Sequence, residues 1–354
     1  MLYGLLSFGK SFNPVKDIPD LSGKVIFVTG AVHGKPDLPA EVPFPAKTPD
    51  SFGHSILRAH ITGNVGLGFE SILQFAQHNP AHIYLGARSE AKGLAAITQI
   101  QTQLSSSHPA IVCPPISLIL CDLASLSSVQ TAAREFHRQE KRLDILMLNA
   151  GVMALPPAVT EEGYEVQFGT NHVGHALLTK LLLPTLLSTA AEGHDVRVVA
   201  VSSMGHFLAP FWRGIELATL KSPQASMSTW QRYGQSKLAN ILFVRELARR
   251  YPTLTCVAVH PGLVATNLYE TFEQGILGVP NKIAKRIVYR SVQSGVCNQL
   301  WAAVAPVRKG EVVSGEYYTP VGVGGQGTAW ATDDELAGKL WTWTEGELEG
   351  VQAE

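Results

Sequence analysis

Lys24–Ala76 reads KVIFVTGAVHGKPDLPAEVPFPAKTPDSFGHSILRAHITGNVGLGFESILQFA. It opens as an apolar, β-branched strand ending in Thr29-Gly30 and closes as an apolar helix entered through Gly66-Leu67-Gly68. A strand that turns sharply through glycines into a helix brings backbone N–H groups to an anion, which is how a dinucleotide pyrophosphate is held. Here the two halves are separated by Val32–Gly63, 32 residues that include Pro36, Pro39, Pro43, Pro45 and Pro49. So many prolines remove backbone donors and predict an insertion loop without regular structure. Joined from Ala31 to Asn64, the halves would read TGANVGLG and place Gly30, Gly66, Leu67 and Gly68 around the phosphates.

Outward from this stretch the chain alternates short apolar runs with longer segments of helical period. After LGFESILQFA come AHIYLGAR, EAKGLAAITQIQTQL, ISLILCDL, SVQTAAREFHRQ and LDILMLNAG. EVQFGTNHVGHALLTKLLLPTLLS, DVRVVAVSS, QSKLANILFVRELARR, LTCVAVHPG and GEYYTPVG follow. Continuously apolar strands joined by helices predict an α/β fold, a doubly wound parallel sheet with helices on both faces, of Rossmann type. No repeat or linker divides the chain, so a single domain is expected over 24–322, with an N-terminal extension at 1–23 and a C-terminal tail at 323–354. Met204–Thr229 and Tyr269–Arg290 break the rhythm and are expected to cover a substrate.

The 354 residues are 45% hydrophobic and 16% charged, with a formal net charge of −1. Nothing in that balance favours nucleic acid or an anionic membrane surface. A small neutral partner fits better. Cys113, Cys121, Cys256 and Cys297 lack paired spacing and are expected as reduced thiols, which suits a cytoplasmic protein. No apolar run approaches the roughly 20 residues of a membrane span. His172 and His175 lack a carboxylate or thiolate beside them, so no metal is expected.

The candidate chemistry lies downstream of the turn. Arg88 closes the second strand, twenty residues after Gly68, where its planar guanidinium suits the 2′-phosphate of NADP(H). Tyr233 and Lys237 in YGQSK share one helix face, so the ammonium stabilises a phenolate whose unperturbed pKa near 10 would otherwise be too high. Ser203 ends the VVAVSS run, and Asn149 and Asn171 lie in LNAG and TNHVGH.

In order, TGA/NVGLG, CDL at 121–123, NAG at 149–151, NHVGH, VSS, YGQSK and HPGLVAT resemble the short-chain dehydrogenase/reductase family. Within it the chain looks like the branch of retinol dehydrogenases and WW-domain oxidoreductases, fungal oxidoreductases of specialised metabolism included. The resemblance covers roughly 24–322. It implies Tyr233 as general acid or base, Lys237 as modulator of its pKa and holder of the nicotinamide ribose, and Ser203 as hydrogen-bond partner of the substrate oxygen. Asn171 would anchor a water serving Lys237. Asp122 and Leu123 would border the adenine, Asn149 and Gly151 its ribose and the turn, and Pro261, Val264 and Thr266 the nicotinamide amide.

The implied activity is hydride transfer between NADP(H) and a carbonyl or alcohol of an apolar, aromatic or polyketide-like small molecule. Family members often form homo-oligomers through the helices carrying Asn171 and Tyr233. The departure is the insertion. Three readings stay open: it loops outward and the turn survives, it abolishes cofactor binding and leaves a non-catalytic binding protein on the same scaffold, or it is translated intron rather than a genuine insertion.

Overall fold

The computed structural model describes residues 9–30, 66–262, 291–308 and 311–351. The inserted segment, Val264, Thr266 and 269–290 lie outside the described residues. Eight strands form one sheet in the order β3-β2-β1-β4-β5-β6-β7-β8. They are β1 (Val25–Thr29), β2 (His82–Ala87), β3 (Ile116–Leu120), β4 (Ile145–Leu148), β5 (Arg197–Val201), β6 (Thr255–Val259), β7 (Tyr317–Thr319) and β8 (Val323–Gly324). All neighbours run parallel except β7 and β8.

The helices are α1 (Leu67–Phe75), α2 (Glu90–Ser107), α3 (Leu126–Gln139), α4 (Val166–Ala191), α5 (Thr229–Arg250), α6 (Cys297–Val304) and α7 (Asp334–Glu347). Their two layers explain the apolar strands. Along β1, Val25 and Phe27 pack with α3, α4, α5 and α7, whereas Ile26 and Val28 pack with α1, α2 and α6. Alternate side chains point to opposite faces, and both faces are buried. The strand order reverses between β1 and β4, which opens a crevice beyond their carboxyl ends. Gly30 and Asn149 stand at that crevice.

Three expectations change. The segment 323–354, read as a tail, carries β8 and α7, and Leu336, Ala337, Leu340 and Leu348 are buried in the core. Ile18 and Leu21 of the N-terminal extension are likewise buried, against the other face. By length and composition, the 26-residue helix Val166–Ala191 is apolar enough to cross a membrane, which the sequence reading did not foresee. Of its most apolar window, 61% is buried inside the fold, as in a core helix packed between other elements.

Candidate active site

Helix α5 begins where its sequence dictates. Ser228 and Gln231 form a capping box, with Gln231 N donating to Ser228 Oγ at 3.2 Å and Ser228 N donating to Gln231 Oε1 at 3.2 Å. Tyr233 and Lys237 then fall one turn apart on the buried face, 5% and 4% exposed. The ammonium lies 5.9 Å from the centroid of the Tyr233 ring and donates to the Val201 carbonyl at the end of β5, at 3.0 Å. Burial pushes the Lys237 pKa down to about 8.

Ser203 follows β5 and opens the 3₁₀ turn Met204–Leu208. Its Oγ accepts the Gly205 N–H at 2.9 Å, which leaves its own proton for a further acceptor. Gly205 has no side chain because there is no room for one. A Cβ there would stand 2.5 Å from Tyr233 Cε1 and 3.3 Å from Ser203 Oγ. That absent side chain lets the phenol ring lie beside the serine.

Asn171 sits in a π turn, Gly169–Val173, inside α4 rather than in regular helix. Such turns recur at functional sites because they re-aim a side chain. Its Oδ1 accepts the Val152 N–H at 2.7 Å, and its Nδ2 donates to Val152 O and Ser236 Oγ, both at 2.9 Å. A Cβ on Gly151 would meet Asn171 Oδ1 at 3.2 Å and Lys237 Nζ at 3.3 Å. Glycine at 151 therefore brings β4's exit loop, Asn171 and Lys237 to one place.

The cofactor side is built on the same principle. Gly30 has φ +72°, and a Cβ there would stand 2.6 Å from Ala150 Cα. Both the left-handed backbone and the close approach demand glycine. Asn149 secures this end of β1, its Nδ2 donating to Thr29 O at 2.9 Å and Gly30 O at 3.2 Å. Gly66 precedes α1 with no side-chain cap among the described residues, and the N–H groups of Leu67 and Gly68 open the helix, where an anion is favoured. Arg88 is exposed directly after β2. Asp122 Oδ1 accepts Ala124 N–H at 3.0 Å in a tight turn after β3, and the Leu123 carbonyl rests on Gly174 of α4. Pro261 and Gly262 follow β6, the glycine with φ +93°.

These residues fit a nicotinamide dinucleotide. The N-terminus of α1 suits phosphates, Gly151 brings no side chain toward Lys237, and Arg88 is exposed directly after β2.

The short chain dehydrogenase family model matches residues 58–213. It starts inside the inserted stretch and so runs through Thr62-Gly63 rather than Thr29-Gly30. A short-chain dehydrogenase/reductase of Armillaria gallica is 33% identical, over 94% of this chain and 92% of its own length. The chain belongs to the short-chain dehydrogenase/reductase family. A family member from Aspergillus calidoustus is 37% identical over 81% of the chain and 91% of its own. Polyprenol dehydrogenase of Danio rerio is 31% identical over 96% and 90%. Among solved structures, an uncharacterised protein of Mycobacterium paratuberculosis aligns with TM-score 0.64 and 27% identity, over 95% of this chain and 97% of that one. NADPH-bound carbonyl reductase from chicken fatty liver shares the fold, with TM-score 0.53 and 21% identity over 84% and 97%.

Within this short-chain dehydrogenase/reductase, several residues near the site carried no motif. His206 Nδ1 donates to the Ser203 carbonyl at 2.7 Å, and its Nε2 accepts the Thr328 N–H at 3.3 Å. The Tyr317 ring meets His206 at 5.1 Å, and its buried hydroxyl has no hydrogen-bond partner among the described residues. Gln299 of α6 donates to Ser71 Oγ of α1 at 2.7 Å and to Asn149 Oδ1 at 3.3 Å. None of them stood out by type or spacing in the sequence. Of the expected cover, Phe211 and Trp212 are 85% and 71% exposed, and Phe207 is half-exposed.

Proposed function

We propose that this family member is an NADP(H)-dependent oxidoreductase that interconverts a carbonyl and an alcohol on an apolar small molecule. The carrying observation is the convergence of Ser203, Tyr233, Lys237 and Asn171, with Gly151 and Gly205 clearing the space between them. The cofactor, when bound, supplies or accepts the hydride. In the reducing direction, Ser203 Oγ donates a hydrogen bond to the substrate oxygen and so stabilises the negative charge that develops there. Tyr233 delivers the proton to that oxygen. The Lys237 ammonium favours the phenolate left behind, and in the reverse direction the same phenolate is the base.

NADP(H) over NAD(H) is supported by the exposed Arg88 beyond β2 and by the NADPH carried by the carbonyl reductase that shares the fold. An apolar substrate is supported by the exposed aromatic rings after Ser203 and by the polyprenol named in the activity of the Danio rerio relative. A cytoplasmic setting accords with Cys113, Cys121, Cys256 and Cys297 forming no disulfide among the described residues.

The test is titration of the full chain with NADPH and NADH, followed by turnover with apolar aldehydes and ketones. Tighter NADPH binding and a loss of kcat of roughly a hundredfold or more in Tyr233→Phe, with NADPH binding retained, are expected. Undiminished turnover in Tyr233→Phe sinks the assignment. No binding by the full chain, with binding restored on deleting Val32–Gly63, would make the insertion the block and leave this chain a non-catalytic scaffold.

A further inference from the structure

Two histidines in NHVGH carry no part of the chemistry so far, and they face different partners. His172 Nε2 pairs with Thr344 Oγ1 of α7 at 3.0 Å. His175, 2% exposed, bridges the two halves of the active site. Its Nδ1 lies 3.0 Å from the backbone carbonyl of Asn171, and its Nε2 lies 2.9 Å from Thr29 Oγ1 at the end of β1. A carbonyl only accepts, so Nδ1 carries the proton. Nε2 of the neutral ring then accepts, and the Thr29 hydroxyl donates to it. Thr29 Oγ1 in turn accepts the N–H groups of Asn149 at 3.0 Å and Ala150 at 3.1 Å.

Every hydrogen-bonding position along this line is thus directional. The Asn171 carbonyl is also approached at 2.9 Å by the Asn240 amide when its nitrogen is turned inward. Burial and the nearby Lys237 ammonium both disfavour a charged His175, whose pKa falls to about 4. The ring therefore stays neutral, and its tautomer stays fixed, at any ordinary working pH.

We propose that His175 is a positioning residue for proton transfer at Tyr233 and Lys237. One ring nitrogen holds the Asn171 carbonyl and the other holds the Thr29 hydroxyl, tying the strand end where the cofactor turn begins to the side of the site that carries the lysine. The inference rests on the oxidoreductase reading for its kinetic consequence, while the tautomer stands apart from it. Asn171 Oδ1 and Lys237 Nζ both approach the place a Cβ on Gly151 would take, at 3.2 and 3.3 Å. A shift of the π turn would displace Asn171 relative to Lys237, and small misplacements at a reacting centre are costly.

The experiment uses the full chain and has two arms. In the first, histidine is labelled with ¹⁵N and the His175 resonance is identified by its absence from His175→Asn. A neutral, Nδ1-protonated ring between pH 5.5 and 8.5 is expected. A charged ring or the opposite tautomer overturns the proposal.

In the second arm, NADPH binding and turnover of an apolar aldehyde are compared in His175→Leu and His175→Asn, each checked for a native melting transition. The leucine variant should lose about tenfold or more in kcat with NADPH affinity held within about threefold, and its solvent deuterium isotope effect should rise. The asparagine variant keeps an N–H one turn from the carbonyl and should recover most of the rate. Equal losses in both variants, or a lowered melting temperature with kcat unchanged, would reduce the histidine to a fold element and overturn the proposal. A wild-type chain that binds NADPH but turns nothing over would reject the oxidoreductase reading instead, and the resonance alone would then decide His175.

Discussion

Lys237 works at a disadvantage that follows from its position. Its ammonium is buried and donates to the Val201 carbonyl, and burial lowers its pKa to about 8 rather than leaving it near 10.5. The charged form is present below about 8 and is lost as pH rises through it. An ammonium that holds the nicotinamide ribose should therefore release its grip in mildly alkaline solution. NADPH affinity, followed by fluorescence, is expected to weaken severalfold between about pH 7 and 9, and Lys237→Met should flatten that dependence. A wild-type affinity constant across this range would contradict the assignment. At this scale the motifs were highly legible. Tyr233 and Lys237 stood out by their spacing on one helix face, and Ser203 and Asn171 by the ordered motifs that contain them. Gly205, His206 and Gln299 did not, because their roles consist of what lies against them.

Helix α4 shows what happens when one element has several duties. Its apolar run buries it between α3, α5 and the sheet, its π turn aims Asn171 at Val152 and Ser236, and it carries two histidines into the core. His172 is fully enclosed, and burial, with a smaller contribution from His175, pushes its pKa down to about 3. The folded value lies below the unfolded one near 6.5, so the unfolded chain takes up this proton first as pH falls. Stability is therefore undiminished above about 6.5 and declines below it, by at most about 1.4 kcal/mol per pH unit for this group. His172→Gln, whose amide still reaches toward Thr344, should lose less stability than wild type between pH 6.5 and 5 in urea melts, by a difference of about 2 kcal/mol or less. The carboxyls of Glu70 and Glu165, raised chiefly by burial, act in the opposite sense but are common to both proteins. Parallel pH slopes would refute the prediction. The helix itself was legible from periodicity. The π turn was not, since one extra residue per turn leaves no mark in the apolar pattern.

On the scale of the whole molecule, α7 decides which surface is available. It lies across α4 and α5, with Trp341 stacked on Phe243 at 5.6 Å and 12°. Lys180 pairs with Glu345 at 2.9 Å, and Arg245 pairs with Asp334 at 2.6 Å. Ala176, Leu183, Phe243, Leu247 and Trp341 help enclose a cavity of about 180 Å³ beneath it. Association through α4 and α5, which the resemblance implied, would have to displace this helix. Light scattering should give a monomer for the full chain. A chain ending at Thr332 exposes the partners of Leu336, Leu340 and Leu348, each worth roughly 2 kcal/mol on burial, and should self-associate or melt more than about 10 °C lower. A full-length dimer cross-linked through α4 and α5 would show the face to be open.

The sequence by itself determined the alternation of strands and helices, the two-faced burial of the sheet and the candidates for the chemistry. These are local properties, written in periodicity and in motif spacing. Tertiary structure decided that the supposed tail is a core helix over α4 and α5, that the long apolar helix is packed inside the fold, and that His175 joins Thr29 to Asn171. Those facts depend on which groups meet across 146 residues of chain, for Thr29 and His175, or 172, for His172 and Thr344. Contacts of that kind are set by the packing of the whole sheet, where burial and hydrogen bonding are satisfied together, and no local pattern records them.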